Sequence, residues 1–284
     1  MKIARVFPRK TNATPVDELS FVGLPPLLAM PEVDEVHISV TFTFDKSEAV
    51  RFAYQWEALR IPVKVDGPAY DNFPGEFTPG MYVKPGYVIT SRGCNGHCWF
   101  CKVPCREGPI RELEIKSGSN VLDNNLLQCS ESHIKAVFEM LKAQKERPIF
   151  TGGLEAKLLK SWHAEALKEI KTKRMYFAYD TPDDYEPLVE AGEILYKAGF
   201  IPTQHHNDVF AYVLIGYKND TFDKAEKRLL DTLKAGFMPY AMLWMDDEGK
   251  VNEDWKPFQR LWIRPAIIAS RNKGLIGKLM EEKA

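Results

Sequence analysis

The chain has 284 residues, of which 45% are hydrophobic, so it is long enough for one large α/β domain or for a core domain with a smaller partner. Its 38 lysine and arginine residues balance 39 aspartate and glutamate residues, and the net charge of -1 gives no overall attraction to nucleic acid, which is not indicated as a partner. The N-terminus lacks a signal-peptide pattern, and no later run approaches the ~20 apolar residues of a spanning helix. We therefore expect a cytoplasmic protein with no membrane partner.

The first 85 residues are predicted to form a small N-terminal α/β domain. Short segments rich in β-branched residues favour strands at Lys2–Val6, Glu35–Thr43 and Pro62–Val65, and a helical pattern covers Lys46–Leu59. The stretch Gly67–Gly86 is rich in proline, glycine and aromatic residues, which is typical of an ordered connecting loop.

From Gly86 onward, strand patterns alternate with helical patterns. The predicted strands are Tyr87–Ser91, Asn120–Leu122, Pro148–Thr151, Arg174–Tyr179, Val209–Gly216 and Pro239–Trp244. The helical patterns are Ser132–Gln144, Ala156–Ile170, Tyr185–Ala198 and Phe222–Ala235. This alternation predicts a parallel sheet over residues 86–250, curled into a full or partial barrel, with chemistry at the carboxyl ends of its strands. Residues 251–284 are predicted to be a helical extension.

The cysteines are concentrated after the first strand of this predicted sheet. Four of the five lie between positions 94 and 105, which is not a disulfide framework and indicates metal or redox chemistry in a reducing compartment. Cys94, Cys98 and Cys101 have C-x3-C-x2-C spacing, so three thiolates can bind three irons of a 4Fe–4S cluster and leave the fourth iron open. Gly93 and Gly96 permit the close turns that such a loop requires.

A zinc site is the alternative, because Cys105 offers a fourth thiolate and His97 a nitrogen ligand. Structural zinc normally uses paired C-x2-C units far apart in the chain, and the second pair is missing, so the cluster is favoured. Cys105 is a bystander, a redox-active thiol or a radical-accepting residue; the first is favoured, which makes it a weak catalytic candidate. Cys129 is predicted to be a partly buried small residue.

The segment Ser91–Gly108, SRGCNGHCWFCKVPCREG, resembles the cluster loop of the radical S-adenosylmethionine (SAM) superfamily. The resemblance implies an α/β fold: a partial (β/α)6 radical SAM barrel with a small N-terminal α/β (Rossmann-like) domain. It implies that the open iron binds SAM, and that an electron from an external donor such as flavodoxin or ferredoxin cleaves SAM to a 5′-deoxyadenosyl radical that abstracts hydrogen from substrate. Phe100 matches the aromatic position that contacts the adenine side of SAM.

Further segments at strand ends resemble the branch that contains cobalamin-dependent radical SAM enzymes and methylthiotransferases. The resemblance implies SAM contacts from Asp123, Asn124 and Asn125 near methionine, from Gly152, Gly153 and Glu155 at the amino group, from Asp180 at the ribose, and from Ile215 and Gly216 at adenine. From the residues alone, three of these segments have another interpretation: an Asx-type turn at 123–125, strand termination at 152–153 and an N-cap region at Asp180. The glycine pair also follows the third predicted strand, whereas the family motif follows the second.

The N-terminal domain occupies the place where cobalamin-binding relatives carry a Rossmann-like domain. No D-x-H-x-x-G segment supplies a histidine for cobalt, so cobalamin is disfavoured, and a reduced domain that covers the barrel mouth or shapes the substrate site is favoured. Sulfur insertion is disfavoured as well, because Cys105 and Cys129 do not supply three ligands for a second cluster.

Other polar residues give few indications of the substrate. Arg106 and Arg111 hold either an anionic substrate or nearby carboxylates. His205 and His206 are predicted to be solvated, since adjacent side chains in an extended segment point opposite ways. The sequence thus predicts a radical SAM enzyme with an unidentified substrate; the alternative is a metal-stabilised binding protein, with zinc or iron–sulfur, without SAM chemistry.

Overall fold

The computed structural model describes residues 1–26, 31–70, 77–200, 208–274 and 276–277, and it has an α/β fold built on parallel sheets. The first sheet is formed by β1 (Ile3–Phe7), β2 (Ser20–Val22), β3 (Glu35–Ser39) and β4 (Val63–Asp66), with α1 (Lys46–Glu57) between β3 and β4. The predicted segments at β1, β3, β4 and α1 are therefore confirmed as elements, but the strand predicted over Glu35–Thr43 ends at Ser39, and Thr43 begins a 3-10 turn. The sequence analysis missed β2, because this three-residue strand is largely exposed and shows no apolar alternation.

The N-terminal sheet is parallel throughout, with the strand order β2-β1-β3-β4. Alternate residues of its central strands, Val6 on β1 and Ile38 on β3, are fully buried and lie opposite each other in register. Trp56 of α1 belongs to the same hydrophobic core, and its indole N–H donates to the Gly23 carbonyl oxygen at 3.0 Å. The helix α1 therefore packs on the face of the sheet to which Val6 and Ile38 point.

The rest of the described chain contains the larger sheet and its helices. In chain order the elements are β5 (Gly86–Val88), β6 (Ser91–Arg92), α2 (Val103–Glu107), β7 (Arg111–Glu112), β8 (Gly118–Val121), α3 (Glu131–Lys142), β9 (Ile149–Phe150), α4 (Ser161–Glu169), β10 (Arg174–Ala178), α5 (Tyr185–Lys197), β11 (Val209–Ile215), α6 (Phe222–Lys234), β12 (Met238–Leu243), α7 (Trp255–Leu261) and α8 (Pro265–Arg271). Each of the predicted strands of this region is present, and six of the elements form one parallel sheet in the order β12-β11-β10-β9-β8-β5.

This sequential order determines where the helices lie. Each connection moves one strand in the same direction, and right-handed crossovers then put all the helices on one face of the sheet. Met175 and Phe177 of β10 are buried in the core shared with the helices. The intervening Tyr176 points the other way and stacks on Tyr212 of β11, with ring centroids 4.7 Å apart. Within the described ranges β5 does not pair with β12, so the sheet is open and no closed barrel is present.

Tertiary contacts shorten two of the predicted elements. The first predicted strand, Tyr87–Ser91, ends at Val88 in β5, because the main chain of Thr90 turns away to bond Asp123. The predicted helix Ala156–Ile170 is a 3-10 turn followed by α4, because Leu159 is extended and buried in the core. The helix then starts after Lys160, whose N–H donates to His163 Nδ1 at 3.0 Å.

Helix boundaries elsewhere follow the predicted signals. Gly199 and Gly236 follow α5 and α6 with φ of 86° and 94°, a conformation that glycine adopts without strain. Thr221 caps α6 by accepting from the Lys224 N–H at 3.3 Å. The described part of residues 251–284 contains α7 and α8, and the helical extension to residue 284 stays a prediction; His205 and His206 lie outside the described residues. No helix that the structure describes is long and apolar enough to cross a membrane. The division into domains at residues 85 and 250 stays a prediction.

Candidate functional site

The cysteine-bearing loop leaves the large sheet after β5 and is closed at its neck. β6 and β7 form a short antiparallel pair there, and the Cys94 N–H donates to the Gly108 carbonyl oxygen at 3.1 Å. Gly93 has φ of 86°, and a Cβ at this position would lie 2.1 Å from the Pro109 carbonyl oxygen. Only glycine therefore fits where the two ends of the loop meet, as predicted.

Asp123, at the end of β8, holds the start of this loop. Its carboxylate is buried and accepts hydrogen bonds from Thr90 N–H at 2.6 Å, Thr90 Oγ1 at 2.5 Å and Ser91 Oγ at 2.8 Å. Burial raises the pKa of Asp123, while these hydrogen bonds oppose the shift. Since both of its oxygens are already bonded to the chain, the carboxylate positions the loop. The predicted contact of Asp123 with SAM stays a prediction.

Two more side chains from the same segment bond the loop further along. Asn124 Oδ1 accepts from the Gly93 N–H at 3.0 Å, and Gln128 Oε1 accepts from the Asn95 N–H at 2.8 Å. We call Asp123, Asn124 and Gln128 the loop clamp. Gln128 was missed by the sequence analysis, because nothing in its neighbours indicates that the turn at Leu126–Gln128 brings it to the loop.

The three predicted cluster ligands lie together on the loop. A Cβ on Gly96 would lie 3.3 Å from Cys94 Sγ and 3.9 Å from Cys98 Sγ, so these two thiols flank the glycine. Burial raises the pKa of Cys98, and Cys101 and Cys94 raise it further; burial and Cys94 likewise raise the pKa of Cys101. Cys98 is exposed and the other two are half-buried. Over the described ranges, no three His, Cys, Asp or Glu side chains are arranged to hold a single metal ion.

A polar network lies beside Cys94. Glu155 Oε2 accepts from Asn125 Nδ2 at 2.6 Å and from Gln128 Nε2 at 3.0 Å, and Glu155 pairs with Lys157 at 2.7 Å. Burial alone would raise the pKa of Glu155, but these partners together lower it, so the carboxylate is ionised at neutral pH. The structure thus brings Asn125 and Glu155 together, although they follow different strands.

Gly152 explains how these strand ends approach each other. A Cβ on Gly152 would lie 1.9 Å from the Asp123 carbonyl oxygen, so the end of β9 contacts the end of β8 directly. Gly153 has φ of 112°, which other residues rarely adopt. The two glycines therefore terminate β9 and close the contact with β8, and their predicted role at the SAM amino group stays a prediction.

Asp180 lies at the carboxyl end of the next strand, β10. Its Oδ1 accepts from the Leu214 N–H at 2.9 Å, which ties the end of β10 to β11. Burial raises the pKa of Asp180 to about 7; the Leu214 N–H opposes the shift and the nearby Asp184 adds to it. The N-cap of the following turn is Thr181, which shares a capping box with Asp184. Asp180 therefore joins the cap through its main chain, whose N–H donates to Asp184 Oδ2 at 3.1 Å, while its side chain bonds Leu214.

The predicted adenine contacts lie at the end of β11. Ile215 is fully buried in the core shared with the helices, and Gly216 has φ of 73° and donates to Asp220 Oδ2 at 2.9 Å. Asp220 is in turn paired with the buried Arg228 at 2.8 Å. The Ile215 side chain therefore belongs to the core, and its role toward adenine stays a prediction.

Aromatic side chains link the cysteine loop to the segment after β11. Trp99 is 62% exposed, and its ring centroid lies 5.3 Å from that of Phe100 and 5.4 Å from that of Tyr217. Trp99 and Tyr217 were missed by the sequence analysis. The contact brings Phe100 to the same edge of the sheet as Asp180 and Gly216.

The remaining cysteines have different surroundings. Cys105 is exposed on α2, within the same loop as the three predicted ligands. Cys129 is half-buried against the helix-side core, and burial raises its pKa to about 11. The prediction that Cys129 is a partly buried small residue is confirmed.

No protein-family model matches the chain. The chain is similar to the ribosomal protein uS12 methylthiotransferase RimO of Alteromonas mediterranea, a member of the radical SAM superfamily, with 30% identity over 159 residues. The match covers 52% of this chain and 31% of RimO, so the chain spans about a third of the length of that curated relative.

Proposed function

We propose that this protein is a radical SAM enzyme in which Cys94, Cys98 and Cys101 hold a 4Fe–4S cluster and SAM binds at the carboxyl edge of the large sheet. When bound to these thiolates and reduced by an external donor such as flavodoxin or ferredoxin, such a cluster would supply the electron for cleavage of SAM to methionine and a 5′-deoxyadenosyl radical. That radical abstracts hydrogen from a substrate, in an oxidoreductase or transferase reaction. The distant similarity to RimO, which covers about half of the chain, supports this class of chemistry.

The position of the cysteine loop is the observation that carries the proposal. The loop starts at the carboxyl end of β5, and the end of the neighbouring strand β8 clamps it through Asp123, Asn124 and Gln128. Parallel sheets bind their ligands outside these strand ends. A cofactor on the loop and a second ligand at the ends of β9, β10 and β11 would therefore share one edge.

The chemistry of the side chains at this edge fits SAM. SAM carries a sulfonium and an ammonium group, and the ionised carboxylate of Glu155 is a negative acceptor at one strand end. Asp180, at the neighbouring strand end, adds a second negative charge as the pH rises through its pKa of about 7. Phe100 and Trp99 offer aromatic surface on the loop itself. Three thiols leave one iron of a cubane cluster without a protein ligand, which is the position a chelating cofactor requires.

The proposal is tested by reconstituting the protein anaerobically with iron and sulfide. We expect iron–sulfur absorbance and, after reduction, conversion of SAM to 5′-deoxyadenosine. Substituting any one ligand, as in Cys98→Ser, should remove at least about 90% of the SAM cleavage, because the cluster needs all three thiolates. Cys129→Ser is the matched control, since Cys129 is half-buried against the core and is not one of the proposed ligands, and it should retain activity.

A protein that binds zinc and leaves SAM intact under these conditions would be a metal-stabilised binding protein instead. Equal SAM cleavage by Cys98→Ser and Cys129→Ser would also refute the proposed ligand set.

A further inference from the structure

A cavity of about 490 Å³ lies between the N-terminal sheet and the base of the cysteine loop. This volume is in the range of sites for small molecules. Its walls include Arg9 and Phe42 from the carboxyl side of the N-terminal sheet, and Ile89, Arg92 and Leu122 from the region where the loop begins. The proposed cluster ligands do not line it, so it is separate from the cysteine site.

The topology of the N-terminal sheet explains why a crevice forms there. β1 connects to β2 on one side, whereas β3 connects to β4 on the other. The segments that follow β1 and β3 therefore diverge at the carboxyl edge, and parallel sheets bind ligands at such a point. Arg9 follows β1 and Phe42 follows β3, so the cavity lies at this divergence.

Arginines form the wall on the side of the cysteine loop. Arg92, Arg106 and Arg111 all line the cavity. Glu107 lies between two of them, with its carboxylate oxygens 3.8 Å from Arg92 Nη1 and 3.7 Å from Arg111 Nη2, both longer than a hydrogen bond. The buried Nε of Arg92 has no hydrogen-bond partner among the described residues. One guanidinium group can donate two parallel hydrogen bonds to two oxygens of a carboxylate or phosphate, so this wall favours an oxyanion.

Aromatic side chains form another wall of the cavity, and ring contacts with their neighbours hold them in place. Phe77 and Tyr82 line the cavity, with ring centroids 4.6 Å apart, and His37 stacks on Phe77 at 4.9 Å. Arg9 lies over the Phe42 ring, and its Nε donates to Asp45 Oδ2 at 2.7 Å, so its charge is already compensated. This wall offers flat apolar surface to a ring.

We propose that this cavity binds a small molecule with a planar ring and a carboxylate or phosphate group. The ring lies on the aromatic wall and the oxyanion faces Arg92, Arg106 and Arg111. The molecule binds apart from the proposed cluster ligands, none of which lines the cavity. The cavity residues Ile89 and Leu122 directly precede Thr90 and Asp123, which hold the cysteine loop.

Fluorescent probes test the cavity without knowledge of the natural ligand. We expect 2-naphthyl phosphate or 2-naphthoate to bind the full-length protein about tenfold more tightly than 2-naphthol or inorganic phosphate, because only the first two combine a ring with an oxyanion. Comparison of the two tight probes distinguishes a phosphate ligand from a carboxylate ligand. Binding of 2-naphthol as tight as that of both anionic probes would overturn the proposal.

Arginine variants locate the bound probe. Arg106→Met should weaken binding at least about fivefold, and Arg106→Lys, which keeps the charge but loses the fork, should give an intermediate value. Arg51→Met is the control, because Arg51 is exposed on α1 and pairs with Glu48. Equal affinities in Arg106→Met, Arg106→Lys and Arg51→Met would overturn the assignment, and the lysine variant keeps the test valid if the methionine variant misfolds.

The failure of this assignment is distinguishable from failure of the proposed function. The variant Cys94→Ser/Cys98→Ser/Cys101→Ser should bind the probe as the wild type does. Probe binding without SAM cleavage by the wild type would refute the enzyme and support the cavity as a ligand site. SAM cleavage without probe binding would refute the cavity assignment alone.

Discussion

At the scale of single residues, a carboxylate at the end of a strand can accept hydrogen bonds either from the protein itself or from a bound ligand. An acidic residue after the second strand matches a cofactor-binding signature, yet the Asp123 carboxylate bonds Thr90 and Ser91. Glu155 and Asp180 also bond protein groups, but at the rim beside the loop. The sequence places all three at strand ends, whereas it does not reveal which carboxylate the fold already uses, because the partners are about thirty residues away.

Asp123→Asn tests the structural role of the clamp. The amide keeps one acceptor and turns an N–H₂ toward groups that already donate, so we expect a loss of stability of about 2 kcal/mol and a lower iron content after reconstitution. Thermal unfolding and iron analysis measure the two effects. Asp183→Asn, at an exposed position, should resemble the wild type. Wild-type stability and iron content in Asp123→Asn would contradict the structural role.

Asp180 predicts how SAM binding depends on pH. Its pKa is raised to about 7, so the ionised carboxylate, the stronger acceptor for a ribose hydroxyl, is populated only as the pH rises through 7. We expect SAM affinity to increase up to roughly tenfold between pH 6 and 8, following the ionised fraction. Isothermal titration measures it, with Asp180→Asn expected to be insensitive to pH. Unchanged wild-type affinity over this range would exclude the carboxylate as a ligand group.

At the scale of elements, the sequence predicted the alternation well and the ends of elements less well. The six strands of the large sheet and Thr221 as the cap of α6 are confirmed, because periodicity and capping residues are local signals. The early end of β5 and the late start of α4 depend on Asp123 and on burial of Leu159, which are contacts with distant segments. Such boundaries are not encoded in the neighbouring residues.

Because His163 is buried near the start of α4, we expect the stability of the protein to fall at acid pH. It is buried and accepts from Lys160 N–H; burial, and then the Lys160 charge, lower its pKa to about 4. Because the folded-state pKa lies below the unfolded value of about 6.5, stability is present above pH 6.5 and is lost as the pH falls toward 4, by roughly 2 kcal/mol after partial screening. Urea unfolding should show a smaller loss in His163→Asn, whose amide oxygen replaces the acceptor. An equally steep loss would argue against this origin.

Gly152 tests whether the contact between β8 and β9 supports the site. Gly152→Ala places a methyl group 1.9 Å from the Asp123 carbonyl oxygen, so the strand ends must separate. We expect a loss of about 2 kcal/mol or more in unfolding free energy together with weaker iron binding. Gly274→Ala, where no atom lies within 4 Å of the added Cβ, should have neither effect. Equal stability of the two variants would contradict the contact.

At the scale of the whole molecule, the two parallel sheets meet at a cavity that no single segment predicts. Its walls come from residues as far apart as Phe7 and Leu122. The sequence analysis left open whether Arg106 and Arg111 hold an anion or nearby carboxylates. The structure puts Arg111 beside Glu107 and Arg106 beside Asp247, with both arginines on the cavity wall. Only the packing of the sheets creates this juxtaposition, so neither composition nor spacing revealed it.

The hydrogen bonds that close the neck of the cysteine loop affect how stable the protein is when the proposed cluster is not bound. Small zinc modules gain their fold from the metal, because their ligands are scattered in an unfolded chain. Here the main-chain bond from Cys94 to Gly108 and the bonds from Asp123, Asn124 and Gln128 order the loop with protein groups alone. Chelation of iron should therefore lower the melting temperature by only a few degrees and leave the circular dichroism spectrum unchanged, whereas a collapse of the spectrum would show that the metal holds the fold. If the proposed cluster is lost to oxidants, we therefore expect it to be rebuilt on a loop that is still folded.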